Sequence, residues 1–196
     1  MSSISQLLKV NNLHEDILAT AGNLGEKENI PTYIVGGYVR DTLLGKSCKD
    51  IDIMVEGDGI AFAKKLARKL KVNITVDYDK FGTAMIPYPD VEIEVATARI
   101  EKYCSDSRKP EVTSSTIEED MSRRDFTINA IAASLLPSNF GEIYDPFGGI
   151  KDLQKGLIIT PLDPDETFSD DPLRMLRAIR FAAQLEYEVA STILES

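Results

Sequence analysis

Tyr33-Ile-Val-Gly-Gly-Tyr-Val-Arg-Asp41, followed after a short gap by Asp50-Ile-Asp52, decides how this chain is read. The first stretch begins as an apolar strand over 33–35, runs into Gly36-Gly37, and continues as a helix over 38–44 that Gly45 stops. The second opens a strand over 50–55 in which carboxylates alternate with Ile51 and Ile53. Side chains on a strand alternate with period two, so Asp50 and Asp52 share one face and the isoleucines take the other. Two like charges that close repel each other unless something positive lies between them. Hard oxygen ligands suit a divalent cation such as Mg²⁺. A polar, solvated strand edge is the plainer reading of the same residues. The apolar Ile51 and Ile53 count against it, because they require the opposite face to be buried.

Neighbouring residues fit the same chemistry. Gly36-Gly37 permits close approach of backbone to phosphate, and a helix start attracts anions, although Gly-Gly also serves simple turns. Arg40 lies in the following helix, placed either to return to those phosphates or to pair with Asp41 at the surface. Val91-Glu-Ile-Glu-Val95 offers a second acidic strand face. Glu94 is the candidate third carboxylate there, and Glu92 reads as its solvated neighbour. The set points to metal-dependent chemistry on a nucleoside triphosphate, in which positioning and charge dominate.

Two basic clusters follow. Arg123-Arg124-Asp125-Phe126-Thr127 is either a solvated charged face or a triphosphate contact, since Arg matches phosphate bidentately. Asp171-Pro-Leu-Arg174-Met-Leu-Arg177-Ala-Ile-Arg180 places its charged side chains in a slanted band along one helix, with Leu173, Leu176, Ile179 and Ala183 largely on the remaining side. An ordinary amphipathic helix with a basic face has that spacing too. Chemically, Asp accepts hydrogen bonds and Arg donates them. Adenine and cytosine both present an exocyclic amine beside a ring-nitrogen acceptor, which Asp171 and Arg174 together satisfy. Guanine and uracil present the reverse order and leave buried groups unpaired.

Composition sets the outer bounds. A chain of 196 residues with 43% hydrophobic residues has material for one core, or one domain and part of a second. No run of about 18 apolar residues occurs, and the start, Met-Ser-Ser-Ile-Ser-Gln, lacks a signal-peptide layout. Two cysteines, Cys48 and Cys104, are too few for a disulfide scaffold and suit a reducing cytoplasm. The net charge of −10 argues against coating nucleic acid by bulk charge, though not against a local basic groove. His14, without a second His or Cys nearby, reads as a surface or half-buried residue rather than a ligand.

Periodicity predicts helices over 5–24, 60–70 and 171–184, and strands over 72–77, 83–87 and 91–98. Pro87-Tyr-Pro-Asp90 reads as a hairpin turn. The stretch 105–115 reads as a flexible loop, Thr116-Ile-Glu-Glu119 as a capping box, and 126–135 as helical. Asp145-Pro-Phe-Gly-Gly149 is a tight turn, 156–160 a short extended run, and Pro161-Leu-Asp-Pro164 a boundary. The end, Thr192-Ile-Leu-Glu-Ser196, reads as a helix still being built, so a fragment is expected.

Taken in order, Ile-Val-Gly-Gly-Tyr-Val-Arg-Asp, Asp-Ile-Asp, Glu-Val-Ala-Thr-Ala-Arg, Arg-Arg-Asp-Phe-Thr-Ile-Asn-Ala, Asp-Pro-Phe-Gly-Gly and Asp-Asp-Pro-Leu-Arg-Met-Leu-Arg-Ala-Ile-Arg-Phe-Ala resemble the class II tRNA nucleotidyltransferases, which include CCA-adding enzymes and bacterial poly(A) polymerases. The resemblance implies an α/β (α+β) fold: a polymerase-β-like head with a mixed sheet flanked by helices over 1–160, then the start of an all-α, base-recognising neck over 161–196. It implies that Asp50, Asp52 and Glu94 hold Mg²⁺, that Gly36, Gly37, Arg40, Arg123 and Arg124 meet the triphosphate, and that Asp171 and Arg174 read the base with support from Arg177 and Arg180. ATP and CTP are the implied nucleotides and a tRNA 3′ end the implied acceptor, gripped by body and tail parts this chain lacks. Asp170-Asp171 departs from the Glu-Asp found in many members, with little expected effect on base choice. Poly(A), CC-only and A-only addition share these motifs. A non-catalytic nucleotide- or RNA-binding module is the rival from another class, and the intact carboxylate set counts against it.

Overall fold

A computed structural model of the chain describes residues 3–9, 12–72, 76–78, 82–102 and 111–195. At its centre lies β2 (Asp50–Val55), with Ile51, Ile53 and Val55 fully buried and the two aspartates on the alternate face. It pairs antiparallel with β1 (Thr32–Val35) and parallel with β5 (Val91–Thr97). Beyond β5 lie β4 (Thr83–Tyr88) and β3 (Val76–Tyr78); beyond β1 lie β8 (Ala132–Ser134) and β9 (Ile143–Tyr144). The result is a seven-stranded mixed sheet in the order β3-β4-β5-β2-β1-β8-β9. The β4–β5 hairpin turns where Pro87 to Asp90 predicts it. Two small sheets stand apart: β6 (Arg99–Lys102) with β7 (Glu111–Ser114), and β10 (Leu157–Ile158) with β11 (Glu188–Val189).

Helices α1 (Asn12–Glu28) and α3 (Gly59–Leu70) cover the apolar face. Leu18 and Ala21 of α1 and Phe62 and Leu66 of α3 meet Ile51, Ile53, Ile93 and Val95 there. Each of the buried Leu, Ile, Val and Phe side chains contributes roughly 1.5–3 kcal/mol of transfer free energy. The Asp58 side chain starts α3 by accepting from Ala61 N at 2.9 Å. The opposite face carries Asp50, Asp52 and Glu94, and is covered only in part by α4 (Ile117–Ser122), whose Ile117 and Met121 pack on Val35, Met54 and Ala132. α4 opens with the predicted Thr116–Glu119 capping box. Helix α2 (Gly37–Leu43) leaves β1 directly. After α5 (Gly149–Lys155) and α6 (Pro164–Asp170), α7 (Leu173–Leu185) packs Ala178 and Phe181 against Phe126, Ile128, Leu153 and Ile158. A short α8 (Ser191–Leu194) follows. Among the described residues no helix is long and apolar enough to cross a membrane.

Several local expectations fail for physical reasons. The stretch 126–135 is not one helix: a 3-10 turn at Thr127–Asn129 leads into β8. Ala132, Ala133, Ser134 and Leu135 are all buried, because β8 lies between β1 and β9 with both faces covered. A strand buried on both faces loses the alternation that distinguishes it from a buried helix. Part of the expected loop at 105–115 is strand, since β7 pairs with β6; residues 105–110 and Cys104 lie outside the described residues. The first helix is divided into a 3-10 turn at Leu7–Lys9 and α1. The predicted strand over 72–77 is described only as Val76–Tyr78. Pro172 separates α6 from α7, holding the preceding Asp171 in extended backbone at φ −147°. His14 is buried rather than at the surface, its Nδ1 3.0 Å from the Tyr38 hydroxyl.

Candidate functional site

The parallel β2–β5 register sets Asp52 beside Glu94 and Asp50 beside Glu92. Four carboxylates thus lie on one side of adjacent strands, with Asp52 the least solvated. Burial, together with the charges of Glu94 and Asp50, pushes the Asp52 carboxyl up to about 6, against a pull downward from Arg124. That is the electrostatic state of a carboxylate group with a deficit of positive charge.

Asp50 and Asp52 open onto a cleft of about 660 Å³. All the candidate residues line it except Glu94: Gly36, Gly37, Arg40, Asp50, Asp52, Arg123, Arg124, Asp171, Arg174, Arg177 and Arg180. Glu94 instead lines an adjoining cavity of about 160 Å³, to which Asp52 and Arg124 also belong. Among the described residues no three His, Cys, Asp or Glu side chains converge closely enough to hold a cation as they stand. The donor chemistry nevertheless suits a hard divalent ion: two oxygen-bearing side chains on one strand face, one of them made more basic by burial and by its acidic neighbours.

Gly36 is required twice. Its φ of +65° belongs to the region glycine favours, and a Cβ there would stand 2.8 Å from Arg124 Nη1. Gly37 has more room, its nearest neighbour being Arg40 Nη2 at 3.6 Å. Gly36→Ala is therefore expected to cost roughly 1–3 kcal/mol of stability through backbone strain and to displace Arg124 from the cleft. A thermal melt checks the first part and a crystal structure of the variant the second; an unmoved Arg124 guanidinium would contradict the tight Gly36–Arg124 approach.

The arginines are held from behind. Asp120, 1% exposed, accepts from Arg123 Nη2 at 2.8 Å and from Arg124 Nε at 3.2 Å, one helical turn away in each case. Arg124 Nη1 also donates to the Asn129 carbonyl at 3.2 Å. Arg40 is buried, with Nε and Nη2 on the two Asp41 oxygens at 2.9 and 3.0 Å and Nη1 on Asn129 Oδ1 at 2.7 Å. It is thus paired with Asp41, but inside the protein. Arg177 places Nε 2.7 Å and Nη2 2.6 Å from Asp125 Oδ2. Arg174 Nη1 donates to the Thr167 carbonyl at 3.3 Å, and Asp171 Oδ1 accepts from Leu173 N at 3.0 Å. One oxygen of Asp171 and one nitrogen of Arg174 are thereby engaged, leaving the other edges of both groups on the cleft.

Sequence reasoning missed Asp41, Asp125, Asn129, Phe181 and Gln184 as lining residues. Phe181 and Gln184 continue the helical stripe through Arg174 and Arg177, so period 3.6 carried a signal for them. For Asn129 the signal was its i, i+4 spacing from Asp125: its Nδ2 donates to Asp125 Oδ1 at 3.0 Å, across a 3-10 turn where an uninterrupted helix was expected.

The family described as "Poly A polymerase head domain" matches residues 32–159. The A-adding tRNA nucleotidyltransferase of Aquifex aeolicus is 46% identical over 81% of this chain and 19% of its own length. A solved CCA-adding enzyme, apo form II, superimposes with a TM-score of 0.89 at 41% identity, covering 98% of this chain and 46% of that one. A tRNA nucleotidyltransferase complexed with a primer tRNA and an incoming ATP analog gives a TM-score of 0.78 at 38% identity, over 89% of this chain and 48% of that one. The chain spans 19%, 20% and 41% of the lengths of three curated A-adding relatives, so it corresponds to under half of each. The mixed sheet flanked by helices is the architecture these structures share with it. With well over half of its residues matched in one continuous span, the chain belongs to the poly A polymerase head-domain family.

Proposed function

We propose that the cleft transfers a nucleotidyl group from CTP or ATP to a tRNA 3′ end, and that the protein completes the terminal CCA in the cytoplasm. The observation that carries this reading is one cleft holding both the Asp50–Asp52 pair and the arginine band of α7. Residues 1–160 act as the catalytic head and 161–196 as the start of a base-recognising neck. Asp50 and Asp52 would hold Mg²⁺, with Glu94 beside Asp52 as the third carboxylate. When bound, the ion supplies the positive charge that brings the RNA hydroxyl and the triphosphate together and favours the ionised hydroxyl.

Gly36-Gly37 admits the triphosphate closely, and Arg40, Arg123 and Arg124 balance its charge. Asp171 accepts from the exocyclic amine of adenine or cytosine, and Arg174 donates to the ring nitrogen, so GTP and UTP leave both groups unpaired. Arg177 and Arg180 support the bound nucleotide along the same helix face. The RNA 3′ hydroxyl loses its proton to solvent as its oxygen bonds to the α-phosphorus, the bond from that phosphorus to the bridging oxygen breaks, and pyrophosphate leaves with the electron pair.

A second reading, addition of the terminal A alone, is favoured by the identity to A-adding enzymes. Full-length protein is given tRNA lacking CCA, or tRNA ending in CC, with CTP, ATP or both. A stop after three nucleotides supports CCA addition. Extension only of the CC-ended tRNA, by one A, supports the second reading, and a long A tract supports a poly(A) polymerase. No extension with any combination contradicts nucleotidyl transfer to RNA.

A further inference from the structure

We infer that Phe181 is a positioning residue for nucleotide binding, its ring seating three guanidiniums of the cleft in the places where they meet an anionic nucleotide. The inference rests on the proposed nucleotide-binding role of the cleft and adds a residue to it. Phe181 is 5% exposed, yet it lines the cleft. The Cζ atoms of Arg40, Arg177 and Arg180 lie 5.1, 5.4 and 5.1 Å from its ring centroid. Arg40 comes from α2, the other two from α7, so the ring is where the head helix and the neck helix bring their charges together.

Three cations around one ring repel each other and need restraint. Asp41 restrains Arg40 and Asp125 restrains Arg177. Among the described residues Arg180 has no hydrogen-bonded or carboxylate partner, so the ring quadrupole is what holds it. The ring is itself fixed: Phe126, fully buried, meets it edge-on at 5.8 Å and 83°. A guanidinium already seated loses less freedom when a ligand arrives, so fixing it favours binding without adding a contact to the ligand.

The test varies ring electronics at nearly constant shape. Full-length protein carrying mono-, di- or trifluorophenylalanine at position 181 is titrated with ATP, with Phe181→Leu as the end point, and each variant is melted. Fluorine withdraws charge from the ring face and weakens its hold on cations while leaving the buried volume almost unchanged. The Kd for ATP is expected to rise stepwise with fluorine number, reaching roughly tenfold at the end of the series, with melting temperatures of the fluorinated proteins together. A flat Kd across the folded fluorinated series overturns the inference while leaving the proposed function standing. Failure of the unmodified protein to bind either ATP or CTP overturns both. A Kd that changes only in Phe181→Leu, together with its melting temperature, assigns the ring a packing role and also overturns it.

Discussion

Asp52→Asn is expected to abolish nucleotide incorporation while stabilising the metal-free protein at pH 8. Among the described residues, Asp52 is the carboxylate that lines both the main cleft and the cavity holding Glu94, where the proposed cation would lie. Losing it should reduce incorporation by a factor of about a thousand or more, the scale of removing preorganised charge from a transfer site. The stability effect follows from linkage. An unfolded aspartate ionises near 3.8, whereas burial and the Glu94 and Asp50 charges push folded Asp52 up to about 6. Between those values the native state holds the extra proton, so stability contributed by Asp52 is present below 3.8 and is lost as pH rises through about 6. At about 1.4 kcal/mol per pH unit, the loss is at most roughly 3 kcal/mol. Asparagine, neutral throughout, removes that cost. The variant should therefore melt higher than the original at pH 8 but not at pH 4. Added Mg²⁺ should raise the melting temperature of the original far more than that of the variant. Near-normal incorporation by Asp52→Asn, or a melting difference independent of pH, contradicts the charge-deficit account of β2.

Asp120→Ala is expected to produce the larger loss of stability, roughly 1.5–3 kcal/mol, because it removes at once the acceptor of two charge-assisted hydrogen bonds. Asp120 is 1% exposed and its partners Arg123 and Arg124 are 28% and 22% exposed, so the pairs are shielded on one side and open to the cleft on the other. Arg123→Ala removes a partly solvated partner and should cost less, about 1 kcal/mol. Urea midpoints of the three proteins check the order. Asp120→Ala should also weaken ATP binding, since Arg124 would retain only the Asn129 carbonyl among its hydrogen bonds described above. Equal midpoints for Asp120→Ala and Arg123→Ala would show that Asp120 is not the shared anchor.

Much of the head was legible because its key strands are buried on one side only. The alternation in Asp50-Ile-Asp52-Ile53 and in Val91-Glu-Ile-Glu-Val95 gave both strands, and their parallel register then set Asp52 beside Glu94. Side-chain capping was also readable, since Thr116 and Glu119 carry their chemistry locally. What could not be read is what depends on distant packing. Ile131-Ala-Ala-Ser-Leu135 has no period of its own, and only the seat between β1 and β9 makes part of it β8. Arg40 reads from the sequence either as a phosphate contact or as an exposed helix residue paired with Asp41, and the closure of the Asn129 turn and the Phe181 ring over it is not legible there. Glu94 illustrates a limit of the opposite kind: its strand face is right, and its side chain still opens into the adjoining cavity.

On the proposed function, this cleft moves the α-phosphoryl-bearing nucleotide, not the terminal phosphate, onto RNA. Full-length protein, Mg²⁺ and a tRNA ending in CC are incubated with ATP labelled at either the α- or the γ-phosphate, and the RNA and released phosphates are separated. The expected result is α-label in the RNA and γ-label only in pyrophosphate, one pyrophosphate per nucleotide added, with neither product formed by Asp52→Asn. Label from the γ-phosphate in the RNA, or tight ATP binding with no transfer of either label, would contradict it.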